Sequence, residues 1–291
     1  MDYFRQFFSI ARLLKTLVIF LPLAGFISCS SPHQEKEVGL QLWSVREAMN
    51  EDPQGTLAQI GEMGYSFIET AGYSNGLFYG MEPGEFKELA GSHGLDFLSS
   101  HVTKFSGENE TPEELELWWE ECIDAHKRAG VEYIVMASLP GSAYNDLEVL
   151  DWYIGYLNET GEKCRAEGIS FGFHNHAQEF NTINGYVIYD RMLEKTNPEF
   201  VFFQPDIYWF EQGGADPLEY FEKYPGRFEV WHAKDYAELG ESGKIDFERI
   251  FNQDTKSGRK HVIVEVEQYN HDPLTSVRIS LEYLLNAEFF D

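Results

Sequence analysis

Apolar runs with the length of β-strands recur along the chain at intervals of about 30 residues, the size of one strand-and-helix unit. Several are almost continuously hydrophobic, which is typical of strands buried on both faces of a sheet. Eight such runs follow residue 37, and they predict strands at residues 38–44, 67–70, 95–100, 133–138, 169–174, 200–206, 228–232 and 262–267.

Helical patterns with start and stop signals separate these runs. The clearest begins at Thr111-Pro112-Glu113-Glu114, where Thr111 can cap the helix and Glu114 completes a capping box. Apolar residues then recur at helical spacing until Gly130. The other predicted helices cover residues 53–63, 83–93, 145–166, 186–195, 217–224, 247–251 and 276–285.

The alternation of strands and helices predicts a parallel sheet. Eight units in roughly 250 residues favour an α/β fold of the (β/α)8 TIM barrel type over an open, doubly wound sheet. The open sheet is the alternative, but residues 42–46 lack the glycine-rich phosphate-binding turn expected after its first strand. We therefore expect one barrel domain over residues 38–291.

The amino-terminal residues have the features of an export signal. Arg5, Arg12 and Lys15 precede an apolar run at 17–27, and Ser28-Cys29 follows it. We predict a lipoprotein signal peptide at 1–28, lipidation of Cys29 and a polar tether at 29–37, so that the protein is exported and anchored to a membrane by lipid. A buried core helix is the alternative for residues 17–27.

The charge and the cysteine content limit which partners and which disulfides are expected. The 291 residues carry 22 Lys and Arg against 49 Asp and Glu, a formal net charge of −27. This charge repels nucleic-acid backbones and anionic membrane surfaces, so we expect no nucleic-acid partner and membrane contact only through the lipid anchor. Cys122 and Cys164 are interpreted as small buried side chains, with one disulfide as the alternative. The oligomeric state is left open.

Residues 171–180, FGFHNHAQEF, place metal-capable side chains where a strand should end. His174 and His176 face the same side because side chains alternate along a strand. Glu179 follows closely. The loops after the strands of a TIM barrel form the active-site face, so this segment is a candidate site. Two surface histidines on a loop are the alternative.

Polar residues gather at the ends of the other predicted strands as well. They are Glu69, His101, Asp206, His232 with Lys234, and Glu265 with Glu267. Barrel closure would bring them around one mouth, and a mixture of carboxylate and imidazole suits Mn²⁺, Zn²⁺, Co²⁺ or Fe²⁺. These residues also have structural interpretations. His232 could bond to a helix end, Glu265 could form an ion pair with Lys234, and Asp206 could cap the turn that follows it.

These motifs resemble a known family. The segments that carry the resemblance are GLQLWSVR at 39–46, HNH with Glu179-Phe180 at 174–180, FQPDIYW at 203–209, KYPGR at 223–227, WHAKD at 231–235 and VEVE at 264–267. They resemble the xylose isomerase-like TIM barrels of the sugar phosphate isomerase/epimerase group. The likeness covers about residues 38–286 and is most specific in the second half.

The resemblance implies a divalent metal, with Mn²⁺ first and Zn²⁺, Co²⁺ or Mg²⁺ as alternatives, held by one ligand from each of strands five to eight. Asp206, His232 and Glu265 match three of these positions. At strand five, relatives place a glutamate near where His174 stands, so the fourth ligand is either Glu179, which we favour, or His174. Glu265 is favoured over Glu267.

The resemblance further implies isomerase, epimerase, dehydratase or hydratase chemistry next to the carbonyl of a small carbohydrate. Glu179, Glu265 and His176 are the candidates for proton transfer. The candidates for substrate contacts are His101, His174, Lys234, Trp43 and Trp209, with core packing as the alternative for the tryptophans.

Basic residues expected near the mouth are few, namely Arg46, Lys104 and Lys234, which favours an unphosphorylated keto-sugar or cyclitol. Two other functions were weighed. A DNA repair endonuclease of the same fold group is disfavoured by the acidic charge. A sugar-binding lipoprotein without catalysis remains as the alternative.

Overall fold

The computed structural model describes residues 36–107 and 110–290, and within them eight parallel strands form one sheet. The predicted signal peptide and Cys29 lie outside the described residues. The strands are β1 Gly39–Gln41, β2 Phe67–Thr70, β3 Asp96–Val102, β4 Tyr133–Met136, β5 Ser170–His174, β6 Val201–Gln204, β7 Val230–Ala233 and β8 His261–Val264.

The sheet curls into a nearly closed barrel. Its strand order is β6-β5-β4-β3-β2-β1-β8-β7, so each strand pairs with its neighbour along the chain and β1 also pairs with β8. The seam between β6 and β7 is closed by an isolated bridge between Asp206 and His232, where the His232 amide donates to the Pro205 carbonyl at 3.0 Å. The predicted TIM barrel is confirmed.

Helices connect the strands on the outside of the barrel. They are α1 Arg46–Glu51, α2 Pro53–Met63, α3 Pro83–Ser92, α4 Pro112–Ala129, α5 Leu147–Ala166, α6 Ile188–Lys195, α7 Ile207–Gln212, α8 Pro217–Lys223, α9 Phe247–Phe251, α10 Asp254–Ser257 and α11 Pro273–Asn286. The capping box predicted at Thr111 and Glu114 is present, and Gly130 ends α4 in a left-handed conformation. In the part of the chain that is described, no helix is both long and apolar enough to cross a membrane.

Two of the differences from the predicted bounds have a clear local cause. The first strand ends at Gln41 because the Gln41 side chain accepts a hydrogen bond from the Trp43 amide, and residues Leu42–Val45 turn into a 3₁₀ helix. The helix predicted at 186–195 begins only at Ile188. Asn184 and Gly185 both have positive φ and form the turn of a small hairpin that includes Tyr186–Val187, as an Asn-Gly pair favours.

An apolar plug fills the barrel beneath its mouth. Its members are Phe67, Leu98, Tyr133, Val135, Phe202, Val230 and Ile263. Four of them stand two positions before a Glu, Gln or His and therefore share its face: Phe67 precedes Glu69, Phe202 precedes Gln204, Val230 precedes His232 and Ile263 precedes Glu265. The next layer of the barrel interior is thus polar and lies at the carboxyl ends of the strands.

A larger core packs the helices against the outside of the sheet. Cys122 of α4 and Cys164 of α5 belong to it, and both are buried, free thiols, as the interpretation of small buried side chains predicts.

Candidate metal centre and active site

Four residues from consecutive strands converge at the barrel mouth. His174 ends β5, Asp206 follows β6, His232 lies in β7 and Glu265 follows β8. One potential ligand atom of each lies within 4.8 Å of the others, and all four side chains are buried. The structure thus brings three of the predicted ligands together and adds His174 as the strand-five member.

The group fits a cation. Asp206 Oδ1 caps α7 by accepting from the Trp209 amide at 3.0 Å, but within the described residues Asp206 Oδ2 is buried without a hydrogen-bond partner. The Lys234 ammonium and His174 Nε2 lie 3.6 and 3.8 Å from Asp206 Oδ2. Burial, with Glu265 nearby, raises the pKa of Asp206 to about 7 despite the opposing charge of Lys234. A cation between the Asp206 and Glu265 carboxylates would offset the cost of holding both charges in a buried site.

Glu69 is the centre of a second, deeper network. The sequence predicted it at the barrel mouth but assigned it no role in metal binding or catalysis. Its carboxylate is fully buried and accepts hydrogen bonds from several strands. The donors are Gln41 Nε2 at 2.7 Å, Ser99 Oγ at 2.5 Å, Gln204 Nε2 at 2.8 Å and His232 Nε2 at 2.6 Å, with His101 Nε2 at 3.0 Å. Burial opposes ionisation, but His101 and His232 hold the pKa of Glu69 well below its usual range.

His232 lies between two carboxylates. Its Nε2 atom faces Glu69, and its Nδ1 atom lies 3.2 Å from Glu265 Oε2. Burial lowers the pKa of His232, but the charge of Glu69 and the bonds to both carboxylates raise it to about 10. Because Glu69 accepts the Nε2–H bond, the Nδ1 atom is the one that can give up its proton and bind a cation on the Glu265 side, an arrangement that is common for histidine ligands.

Glu179 occupies a different position. It lies in the 3₁₀ turn Ala177–Phe180, where one oxygen accepts from the Tyr144 hydroxyl at 2.6 Å and the other from the His176 amide at 2.8 Å. Glu179 is buried and is not a member of the four-residue group. Its carboxylate therefore braces the backbone after β5, and His174 is the residue of this segment that reaches the centre.

Lys234 links the ligand group to the rim of the mouth. Its ammonium donates to Glu265 Oε2 at 3.2 Å and to Glu267 Oε2 at 2.5 Å. Glu267 in turn accepts from the Trp43 indole at 3.0 Å. The Glu265–Lys234 pair weighed as a structural alternative therefore exists, but it forms part of the site. Glu265 is buried beside His232, whereas Glu267 is partly exposed.

His176 and Trp209 offer polar atoms without partners. Among the described residues, His176 Nδ1 and Trp209 Nε1 are buried and make no hydrogen bond, although their ring centroids lie only 5.3 Å apart. Burial, with the nearby Lys234 charge, lowers the pKa of His176 to about 4. His176 is therefore a neutral imidazole at pH 7.

A cavity of about 950 Å³ opens above these groups. It is lined by most of the residues predicted to act on substrate: Trp43, His101, His174, His176, Trp209, Lys234 and Glu265. Lys234 is the only lysine or arginine among the lining residues that are described. The other basic residues predicted near the mouth are engaged elsewhere, Lys104 with Glu110 and Arg46 with Trp43 and Tyr269.

Gln204 was not predicted as a site residue. Its signal is a polar residue two positions after a buried apolar residue at the end of a strand, the same pattern that placed Glu69 at the mouth. Tyr144 carries no such signal, because it reaches Glu179 from a turn after β4.

Comparison with known proteins identifies relatives. A model of the family described as xylose isomerase-like TIM barrel matches residues 57–287. The chain is similar to two solved structures of sugar phosphate isomerase/epimerases from Parabacteroides distasonis. One is 32% identical, with a TM-score of 0.80 over 88% of this chain and 100% of the other. The second is 29% identical, with a TM-score of 0.82 over 90% and 98%. An inosose dehydratase of Geobacillus kaustophilus is 24% identical over 212 residues, which span 66% of each protein.

Proposed function

The chain belongs to the xylose isomerase-like TIM barrel family, and from this premise we propose that it is a metal-dependent enzyme that moves a proton next to the carbonyl of an unphosphorylated keto-sugar or cyclitol. Relatives described as sugar phosphate isomerase/epimerase and as inosose dehydratase support this class of chemistry. Isomerisation, epimerisation and dehydration all begin with the same proton abstraction.

One observation carries the proposal. The buried group of His174, Asp206, His232 and Glu265 lies at the floor of a cavity whose described lining includes only one lysine or arginine, Lys234. That lysine is already bonded to Glu265 and Glu267. A phosphate clamp needs several free donors, so the cavity suits a neutral polyol.

A divalent cation held by these four residues, with Mn²⁺ as the first to test, would polarise a carbonyl oxygen and acidify the C–H beside it. The side chains of this chain supply the rest. His176, neutral at pH 7 with Nδ1 unpaired among the described residues, can take the proton in this proposal. The Trp209 indole N–H can donate to a substrate hydroxyl. Lys234 keeps Glu265 ionised and brings positive charge to the cavity.

Proton exchange tests the proposal. The purified, Mn²⁺-loaded protein is incubated with free keto-sugars and inososes in deuterated water, and deuterium incorporation next to the carbonyl is followed by NMR. We expect exchange by the wild type, its loss with the stoichiometric metal in Asp206→Ala and Glu265→Ala, and its loss without metal loss in His176→Gln. Glu211→Gln, an exposed acid on α7, is the control. Bound metal with no exchange on any substrate of the panel would contradict catalysis and favour a sugar-binding role.

A further inference from the structure

The cavity has two chemically different sides. The ligand group and its neighbours come from the ends of β5 to β8. The opposite side is built after β2, β3 and β4, with Trp118 added from α4, and it is largely apolar. Its side chains are Tyr73, Val102, Phe105, Trp118 and Leu139. We call this set the aromatic wall.

The cavity is larger than one sugar ring requires. Its volume of about 950 Å³ lies near the upper end of the ~300–1,000 Å³ typical of pockets that enclose drug-sized ligands, and it equals the volume of roughly thirty water molecules. A single hexose or cyclitol ring seated on the ligand group would leave the aromatic wall in water. Val102 and Leu139 are only 4% exposed, so the accessible part of the wall consists of the rings of Tyr73, Phe105 and Trp118. A further ring of the ligand can pack on these side chains.

We infer that the substrate is a glycoside, with a keto-sugar ring at the ligand group and a second, uncharged ring, either sugar or aryl, on the aromatic wall. This inference rests on the proposed function and narrows its substrate class. The anomeric carbon of a glycoside is locked in an acetal and cannot open to an aldehyde. The reacting carbonyl must therefore be a ketone on the ring.

Two rings of the aromatic wall are held in place by packing against each other. Trp118 packs edge-on against Tyr73, with ring centroids 5.8 Å apart and an interplanar angle of 88°. The Lys104 ammonium lies 5.7 Å from the Trp118 ring and is itself tied to Glu110. Phe105 is 36% exposed. A fixed aromatic surface of this kind offers contact to a ring at low entropic cost.

Uncharged polar residues on both sides of the cavity suit hydroxyl groups. Thr103, Ser138, Gln178, Asn181 and Gln212 line the cavity and are uncharged. They can donate to and accept from the hydroxyls of a sugar, whereas the lack of a free cation in the described lining disfavours a phosphate or carboxylate on the second ring. Both the shape and the charge of the cavity thus point to a neutral glycoside.

The test compares ring ketones prepared from methyl and p-nitrophenyl β-D-glucopyranoside in the deuterium-exchange assay with the Mn²⁺-loaded protein. Stacking of the aryl group should raise kcat/KM about three- to tenfold over the methyl compound. Phe105→Ala and Trp118→Ala should bring the ratio of the two kcat/KM values close to one. Leu117→Ala, on the same helix but 56% exposed and outside the cavity lining, should keep the ratio. Equal kcat/KM values in the wild type, or an unchanged ratio in both wall variants, would overturn the inference.

Failure of the proposed function has a different signature, because then no keto compound, free or glycosidic, exchanges deuterium. In that case a binding experiment still tests whether a second ring binds to the aromatic wall. Saturation-transfer NMR with p-nitrophenyl β-D-glucopyranoside should label the aryl protons, and this signal should fall in Phe105→Ala but not in Leu117→Ala. No transfer to the aryl protons, or equal transfer in both variants, would overturn the glycoside inference.

Discussion

Glu69→Gln is the substitution that best separates the deeper network from the ligand group above it. Glu69 is not close enough to belong to that group, but it accepts the Nε2–H of His232 at 2.6 Å and three further hydrogen bonds. Glutamine has nearly the same shape, but its amide nitrogen must face groups that are already donors. Either His232 changes its tautomer or buried donors lose their acceptor.

The expected magnitude follows from this role. Loss of the group that orients a histidine ligand typically lowers metal affinity 10- to 100-fold, about 1.4–2.7 kcal/mol. Each buried donor left without a partner costs about 1–3 kcal/mol of folding stability as well. We therefore expect Glu69→Gln to weaken Mn²⁺ binding at least tenfold in titration calorimetry and to lower the thermal midpoint of the metal-free protein.

Glu179→Gln is the matched control, because Glu179 is equally buried and accepts from Tyr144 and from the His176 amide without joining the ligand group. It should lower the thermal midpoint but leave the Mn²⁺ affinity within about threefold of the wild type. Wild-type Mn²⁺ affinity in Glu69→Gln would refute the orienting role. Loss of Mn²⁺ in Glu179→Gln would instead make Glu179 a ligand.

Three further predictions concern protons and the amino terminus. The pKa of His232 is raised to about 10, so Mn²⁺ must displace a proton from the His232 ring at pH 7. The Mn²⁺ affinity should therefore rise with pH. A binding enthalpy that is the same in buffers of different ionisation enthalpy would contradict this proton release. Burial lowers the pKa of His126 from 6.5 to about 4, so the unfolded chain binds the proton more tightly. His126 therefore does not lower the free energy of unfolding above pH 6.5, but it lowers it by up to about 3 kcal/mol as the pH falls to 4. In urea unfolding at pH 4.5 and 7.5, the free energy of unfolding of His126→Leu should differ less between the two pH values than that of the wild type. Cys29→Ser should move the protein from the membrane fraction to the soluble fraction of cells, and an unchanged distribution would count against lipidation.

The sequence by itself determined the architecture and most of the ligand group. Apolar runs about 30 residues apart and their intervening helices predicted eight strand-and-helix units, because buried parallel strands and amphipathic helices have different hydrophobic periods. Polar residues at the strand ends predicted that Asp206, His232 and Glu265 would meet at the mouth with several others, since parallel strands in a barrel end on one face. The family resemblance then singled out these three as expected ligands.

Only the tertiary structure decided which side chains meet. His174 and Glu179 are five positions apart, and the choice between them depends on the 3₁₀ turn that folds Glu179 back onto the His176 amide and Tyr144. Glu69 and His232 are separated by 163 positions and touch because the barrel closes. Periodicity is a local property of the chain, whereas hydrogen bonds across a barrel depend on register and curvature, which no single segment contains.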